Sequence, residues 1–265
     1  MEEHDGLRLV YSREEVSESG RNLDGVVTNV GMELWCMLRQ GLNVLESIIK
    51  IRGEEPLCAR EVIGRYLATS ANGKVIIIGH SLGGLHARYY AQNYPDKVPL
   101  CITIGTPHQG TPTARLARLL YPAGVYGEST REMYPNSEVI RRMDDQFKRE
   151  KERLRNKTKF VNIRSKKDFV VPYSYSHFSH TDEEYTLENC GHVGSIDSDI
   201  LYKILVRETE EVYRKHGECP VVMLHGFCLN GETFIDLHKK LGIFHRTIAS
   251  RIFTPDYNFT TSIEK

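Results

Sequence analysis

Continuous apolar runs along the chain predict buried β-strands. The clearest are residues 75–78, which are four β-branched side chains in succession, and residues 220–224. A strand that is covered on both faces of a parallel sheet is apolar throughout, whereas a half-exposed strand alternates. Further short strands are predicted at residues 99–104, 160–164 and 185–187. Together these segments predict a mostly parallel sheet.

Apolar residues at helical spacing predict the elements between these strands. The predicted helices fall at residues 26–51, 59–68, 85–93, 141–157, 198–216 and 232–241. Strands that alternate with helices are typical of an α/β fold, with helices on both faces of the sheet. The amphipathic helix at 26–51 either packs on the domain or forms a lid or a helix on a membrane surface.

The turn after the first apolar run has the pattern Gly-x-Ser-x-Gly, at residues 79–83. A serine is a weak nucleophile until a base takes its proton, and a tight strand-to-helix turn lifts its hydroxyl to where a histidine can reach it. The helix that follows points backbone N–H groups at an anion formed beside Ser81. This context predicts a nucleophile elbow, and an ordinary Gly-rich turn is the alternative.

The elbow and two further stretches resemble α/β-hydrolase lipases and esterases, in particular the minimal bacterial lipases. One stretch is Gly-Thr-Pro-His-Gln-Gly-Thr at residues 105–111, which is similar to the segment after the strand that follows the elbow in many lipases. The other is His-Gly-Phe at residues 225–227, which resembles the oxyanion-loop strand of the family. The resemblance covers residues 59–205 and 219–265, and it implies an α/β-hydrolase fold.

Three side chains follow the order Ser…Asp…His of these hydrolases, each on a loop after a predicted strand: Ser81, Asp168 and His192. Ser81 is predicted to be the nucleophile and His192 the general base and then acid. Asp168 is predicted to hold the tautomer of the imidazole. The resemblance implies that the backbone N–H groups of Leu82 and Phe227 form the oxyanion hole.

Rival histidines and aspartates are expected to have other roles. His80 is expected to pack or to hydrogen-bond behind the nucleophile, and His86 is expected to be structural. Asp197 and Asp199 follow His192 too closely in the sequence to orient it, and they fit the start of a helix better.

A segment without strand signals, residues 111–157, lies where lipases carry a cap over the active site. An insertion of this length is more often functional than idle. Several side chains in or beside it are candidates to line an acyl pocket, and plain core packing is the alternative for each apolar one. These candidates are His108, Leu116, Leu119, Leu120, Tyr121, Val125, Tyr126 and Met133.

The oxyanion-strand block stands at an unexpected place, because in the family this strand precedes the elbow and here it occupies residues 219–265. We expect residues 220–224 to be a central strand of the same sheet, which makes the strand order circularly permuted. Residues 247–253 are predicted as a neighbouring strand, and the capping box that begins at Thr261 predicts a helix.

The predicted division of the chain is an N-terminal extension at residues 1–58, which contains the amphipathic helix, and a hydrolase domain at residues 59–265. Two alternatives to the permutation are a truncated second hydrolase domain in tandem and a domain-swapped dimer in which the last block completes its partner's sheet.

Composition excludes some partners and classes of site. Thirty-five basic residues balance 35 acidic ones, so nothing predicts nucleic acid as a partner. The six cysteines show no CxxC spacing, which favours free thiols. No cluster has metal-ligand spacing, and no cofactor is expected. The N-terminal sequence predicts no signal peptide, no apolar run is long enough to span a bilayer, and a cytoplasmic or peripheral membrane location is expected.

These features together predict a lipase or carboxylesterase that acts on acyl esters or lipids through an acyl-enzyme at Ser81. Contact with a lipid interface fits such a substrate. Thioester hydrolysis, amide hydrolysis and acyl transfer would use the same residues. A binding protein with an impaired hydrolase fold is the alternative from another class, although no predicted catalytic residue is missing.

Overall fold

A single parallel sheet organises the chain in this computed structural model, which describes residues 57–115, 127–227 and 229–264. Its six strands, in chain order, are β1 Ile76–His80, β2 Leu100–Ile104, β3 Lys159–Ser165, β4 Glu183–Leu187, β5 Val221–Leu224 and β6 Ile252–Phe253. The order across the sheet is β4-β3-β2-β1-β5-β6, and every neighbouring pair is parallel. The predicted parallel α/β architecture is therefore confirmed.

Helices connect these strands. They are α1 Ala59–Ala68, α2 Leu82–Asn93, α3 Glu128–Glu132, α4 Glu138–Arg149, α5 Lys151–Arg155, α6 Asp199–His216, α7 Ile235–Phe244 and α8 Arg246–Ala249, with a 3₁₀ turn at Gly231–Phe234 before α7. The predicted helix at residues 26–51 lies outside the described residues.

Two hydrophobic cores cover the two faces of the sheet, because successive strand residues point to opposite sides. In β1, Ile77 belongs to the core that contains residues of α1, α2 and α4, whereas Ile76 and Ile78 belong to the core that contains residues of α6 and α7. All five β1 residues are buried. This explains why the run at residues 75–78 is continuously apolar rather than alternating.

Strand β5 lies next to β1, as predicted for residues 220–224. Ile76 aligns with Val221 and Gly79 with Leu224, within one chain. Helix α6 ends at His216, and Gly217 has a φ of 80° that favours glycine. The side-chain amide of Asn72 donates to the carbonyl of His216 at 2.8 Å, which fixes the short connection between α6 and β5.

Several predicted boundaries were wrong. Helix α2 begins at Leu82, not at residue 85, and the predicted helix at 141–157 is two helices, α4 and α5, separated by Glu150. Of the predicted strand at 247–253, residues 247–249 belong to α8, residues 250 and 251 form a turn, and only Ile252 and Phe253 pair with β5.

The capping box predicted from Thr261 does not start a helix within the described residues. The hydroxyl of Thr261 donates to the carbonyl of Asn258 at 2.9 Å, and the hydroxyl of Ser262 donates to Glu132 at 2.6 Å. The Thr261 side chain is therefore occupied by a local contact to the preceding turn, and the Ser262 side chain bonds to α3 while it also accepts from the N–H of Glu264 at 3.2 Å.

Helix α4, which belongs to the predicted insertion, packs on α2. The buried guanidinium of Arg88 donates to Asp144 at 2.5 Å, and the amide of Gln92 donates to the carbonyl of Met143 at 2.8 Å. Met133, one of the pocket candidates, is buried in the same core as these helices.

Candidate active site

Ser81 occupies a strained turn between β1 and α2. Its backbone has φ 53° and ψ −124°, which is uncommon for a residue with a side chain. Its N–H donates to the carbonyl of Ile104 at 2.8 Å, and its carbonyl accepts from the N–H of Gly84 at 3.0 Å. These bonds hold the backbone of the predicted elbow in place at the carboxyl end of the central strands.

Glycines allow the loop after β5 to approach this turn closely. A Cβ atom at Gly83 would overlap the carbonyl oxygens of Leu224 and His225, and one at Gly226 would lie 2.8 Å from the Cβ of Ser81. The last glycine of the elbow pattern is therefore required by β5 and not only by the turn itself. The His-Gly-Phe segment lies directly beside Ser81.

Asp168 and His192 form a buried pair. Nδ1 of His192 donates to Oδ2 of Asp168 at 2.7 Å, and the other carboxylate oxygen accepts from the N–H groups of Val170 at 2.9 Å and Val171 at 2.7 Å. The two backbone bonds fix the carboxylate. A carboxylate partner at Nδ1 leaves Nε2 as the nitrogen that can accept a proton.

Two contacts bring this pair next to the elbow. The ring of His80 lies 4.6 Å from that of His192, and its Nε2 donates to the carbonyl of His192 at 3.0 Å. A Cβ atom at Gly105 would lie 3.1 Å from Oδ2 of Asp168 and 3.4 Å from Nδ1 of His192. His80 directly precedes Ser81, and Gly105 directly follows Ile104, whose carbonyl accepts from the N–H of Ser81. The buried pair of Asp168 and His192 therefore lies beside the turn that carries Ser81.

His80 is neutral in this position. Burial, followed by the nearby His192, holds its pKa well below the ordinary value of 6.5. Its Nε2 must carry the proton because a carbonyl can only accept, so Nδ1 is unprotonated. The expectation that His80 hydrogen-bonds behind the nucleophile agrees with this geometry.

The predicted oxyanion donors lie on two different elements. Leu82 is the first residue of α2, and first-turn N–H groups have no acceptor within their own helix. Phe227 follows Gly226, where an added Cβ atom would lie 2.8 Å from the Cβ of Ser81. Its ring is buried against Phe259 at 5.3 Å.

Of the other predicted site residues, some are buried in the described part of the chain and some lie outside it. His108 is buried, its Nε2 lies 3.0 Å from the hydroxyl of Thr103, and its ring stacks on Phe178 at 4.5 Å. The remaining pocket candidates lie outside the described residues: Leu116, Leu119, Leu120, Tyr121, Val125 and Tyr126. The rival acid Asp199 begins α6 and pairs with Lys240.

The sequence did not predict that Gly105 lies against Asp168 and His192 or that Tyr257 bonds to the loop beside Ser81. Gly105 directly follows β2, and its φ of 52° is a signal that only the structure supplies. Tyr257 is buried and donates to the carbonyl of His225 at 2.7 Å, across a distance in sequence that no local pattern encodes.

Neither a metal site nor a membrane-spanning helix occurs in the part of the chain that the structure describes. No group of three or more His, Cys, Asp or Glu side chains in residues 57–115, 127–227 and 229–264 is arranged to hold a metal ion. In that same part of the chain, no helix has the length and apolar character to cross a membrane.

Comparison with known proteins agrees with the sheet and with the elbow. Residues 57–130, which include β1, Ser81 and α2, match the family model described as alpha/beta hydrolase fold. The chain has an α/β-hydrolase fold. The resemblance found in the sequence is thereby confirmed at the level of the fold.

Curated relatives of this hydrolase fold include bacterial lipases. A triacylglycerol lipase of Pseudarthrobacter phenanthrenivorans is 45% identical over 60 residues, which are 23% of this chain and 18% of that protein. One of Vibrio cholerae is 40% identical over 77 residues, 29% of this chain and 24% of that protein. The matched part thus spans less than a quarter of either relative. The solved structure of Bacillus licheniformis lipase BlEst2 in mature form is 17% identical, with a TM-score of 0.41, over 65% of this chain and 74% of that one.

Proposed function

We propose that this hydrolase fold is a serine carboxylic ester hydrolase of the lipase or carboxylesterase type. The observation that carries the proposal is the buried bond of 2.7 Å between His192 and Asp168, next to the strained turn of Ser81. A fixed imidazole beside a serine on an elbow is the arrangement that acyl transfer needs. The triacylglycerol lipases that are 45% and 40% identical to this chain over 60 and 77 residues support an ester substrate.

The reaction follows from these side chains. Ser81 Oγ attacks the ester carbonyl carbon, its proton passes to Nε2 of His192, and the π electrons of the carbonyl move to its oxygen. The N–H groups of Leu82 and Phe227 stabilise that oxyanion. When the intermediate collapses, the alcohol leaves with the proton from His192 and an acyl-enzyme remains.

Water then repeats the sequence on the acyl-enzyme. His192 takes a proton from the water, the oxygen attacks the acyl carbon, and collapse releases the carboxylic acid while the proton returns to Ser81. Asp168 stabilises the imidazolium form in both halves. The substrate is an acyl ester or a lipid, whose acyl chain we expect to contact the cap segment at residues 111–157.

The test is ester hydrolysis by Ser81→Ala. We measure the hydrolysis of p-nitrophenyl esters of increasing acyl length and the labelling of the protein by a fluorophosphonate. The matched control is Ser250→Ala, because Ser250 is exposed. Ser81→Ala should lose at least about 10³-fold in kcat and all labelling, because the remaining groups cannot form an acyl-enzyme. Ser250→Ala should behave like the unmodified chain. Retention of most activity by Ser81→Ala would overturn the proposal.

A further inference from the structure

A short segment after β6, residues 256–259, contacts the loop that follows β5 at both of its ends. The hydroxyl of Tyr257 donates to the carbonyl of His225 at 2.7 Å, where the loop begins. Oδ1 of Asp256 accepts from the N–H of Gly231 at 2.7 Å, where the loop ends. Two consecutive side chains therefore fix both ends of the loop, and the residue beside Ser81, Gly226, lies between them.

A third side chain of the segment contacts the middle of the loop. The ring of Phe259 meets that of Phe227 edge to face, with centroids 5.3 Å apart. Both rings are buried, with exposed fractions of 2% and 6%. Aromatic pairs in this geometry have a preferred orientation, so the ring of Phe259 restricts how Phe227 and its backbone can turn.

Tyr257 can act only as a hydrogen-bond donor to the loop. Its ring is buried between the rings of His225, 4.4 Å away, and His86, 5.5 Å away. Burial raises the pKa of the Tyr257 hydroxyl and lowers the pKa of His225 to about 4 and that of His86 to about 3. All three groups are therefore neutral near pH 7, and the carbonyl of His225 receives a donor that does not titrate there.

The segment and the residues that follow it are held by the insertion. The hydroxyl of Ser129 donates to the carbonyl of Phe259 at 2.5 Å, and the carboxylate of Glu132 accepts from the hydroxyl of Ser262 and the N–H of Ile263, both at 2.6 Å. The contacts to α3 give the segment a fixed base from which it can position the loop.

We propose that Asp256, Tyr257 and Phe259 are positioning residues for the oxyanion hole, because they hold the β5 loop so that the N–H of Phe227 faces the oxygen that develops beside Ser81. This inference rests on the proposed function. A donor that is misplaced stabilises the transition state less while substrate binding is retained, so the effect should be on kcat rather than on KM.

The decisive variant is Tyr257→Phe, which removes one hydroxyl and leaves the ring. The chain offers a matched control in Tyr213→Phe, because the hydroxyl of Tyr213 donates to the carbonyl of Cys219 at 3.0 Å, just before the opposite end of β5. We measure kcat and KM on p-nitrophenyl butyrate, the inhibition constant of an alkyl trifluoromethyl ketone, and unfolding in urea. The ketone forms a bond to Ser81 Oγ and places an oxyanion in the hole, so its affinity reports the hole directly.

Loss of an oxyanion donor lowers kcat about 10²–10³-fold, and a displaced donor should cost part of this, about tenfold. Tyr257→Phe should lower kcat and ketone affinity by similar factors and leave KM within about twofold. Tyr213→Phe should change neither. Unchanged kcat and ketone affinity in Tyr257→Phe would overturn the inference, as would equal losses in the two variants.

A second pair of variants covers the case in which Tyr257→Phe does not fold. Asp256 is exposed, so Asp256→Ala removes the acceptor for Gly231 with little risk to the core, while Asp256→Asn keeps an acceptor oxygen. Asp256→Ala should lower kcat and ketone affinity, and Asp256→Asn should restore them. No loss in Asp256→Ala would overturn the inference. Activity that survives Ser81→Ala would instead overturn the proposed function, so the two failures are distinguishable.

Discussion

Adding one methyl group at Gly105 should disturb His192 and Asp168 more than it disturbs the fold. A Cβ atom there would lie 3.1 Å from Oδ2 of Asp168 and 3.4 Å from Nδ1 of His192, the two atoms joined by the bond of 2.7 Å. Ordinary contacts of a methyl group lie near 3.5–4.0 Å, so the two polar atoms must shift by a few tenths of an ångström. A misplacement of about 1 Å costs about 10²-fold in rate, and we expect roughly tenfold from Gly105→Ala.

The backbone cost of the same substitution can be separated from its effect on the site. Gly105 has φ 52°, and a side chain there costs about 1–2 kcal/mol. Gly73 has φ 64°, and the nearest atom to an added Cβ is Nζ of Lys97 at 4.0 Å, so Gly73→Ala carries the same backbone cost without the contact. The assay is kcat/KM on p-nitrophenyl butyrate beside urea unfolding. Equal activity in the two variants would refute the reasoning.

Three further predictions follow from the structure. Asp168→Asn should lower kcat by about 10³–10⁴-fold because it removes the carboxylate that orients the imidazole, whereas Asp199→Asn should cost less than about twofold, and the reverse ranking would move the assignment. Burial lowers the pKa of His225 from 6.5 to about 4, so the unfolded chain binds this proton first and stability is lost as the pH falls below about 6.5. Between pH 7.5 and pH 5, the free energy of unfolding should therefore fall by about 2 kcal/mol more in the unmodified chain than in His225→Gln. An equal dependence of the unfolding free energy on pH in the two proteins would contradict this. We propose that the chain order is circularly permuted, so a chain in which residues 218–264 precede residues 57–217 through a glycine–serine linker should fold and retain esterase activity, and an unfolded product would contradict it.

The positions of Ser81, Asp168 and His192 could be predicted because each follows a strand of the same parallel sheet. Parallel strands place their carboxyl ends at one edge, so loops that are far apart in sequence meet there. The apolar runs located these strands to within one or two residues at most ends, and the hydrogen-bonding partners of Asp168 agree with its predicted role. Successive side chains of β1 enter the two cores in alternation, which explains why the run at residues 75–78 has no polar position.

Contacts between loops could not be predicted in the same way. The bond from His80 to the carbonyl of His192 depends on which face of β1 its last residue occupies, and the closeness of Gly105 to Asp168 depends on a positive φ. Neither leaves a periodic signal in the sequence. The predicted length of β6 was too great because β-branched residues such as Thr247 and Ile248, which favour strands, occur here in the short helix α8 before it.

Strand β5 shows why position along the chain does not decide position in the sheet. Its four residues are buried on both faces, so the only stable location for them is between two other strands. Helix α6 brings the chain to the amino end of β1, and the connection to β5 is held by Asn72. A strand that enters at that point must run parallel to β1, and its carboxyl end must then meet the turn at Ser81. On the elbow, a Cβ atom at Gly83 would overlap the carbonyl oxygens of Leu224, the last residue of β5, and of His225. The last glycine of the Gly-x-Ser-x-Gly pattern is therefore required by the strand that lies beside the elbow, wherever in the chain that strand is encoded.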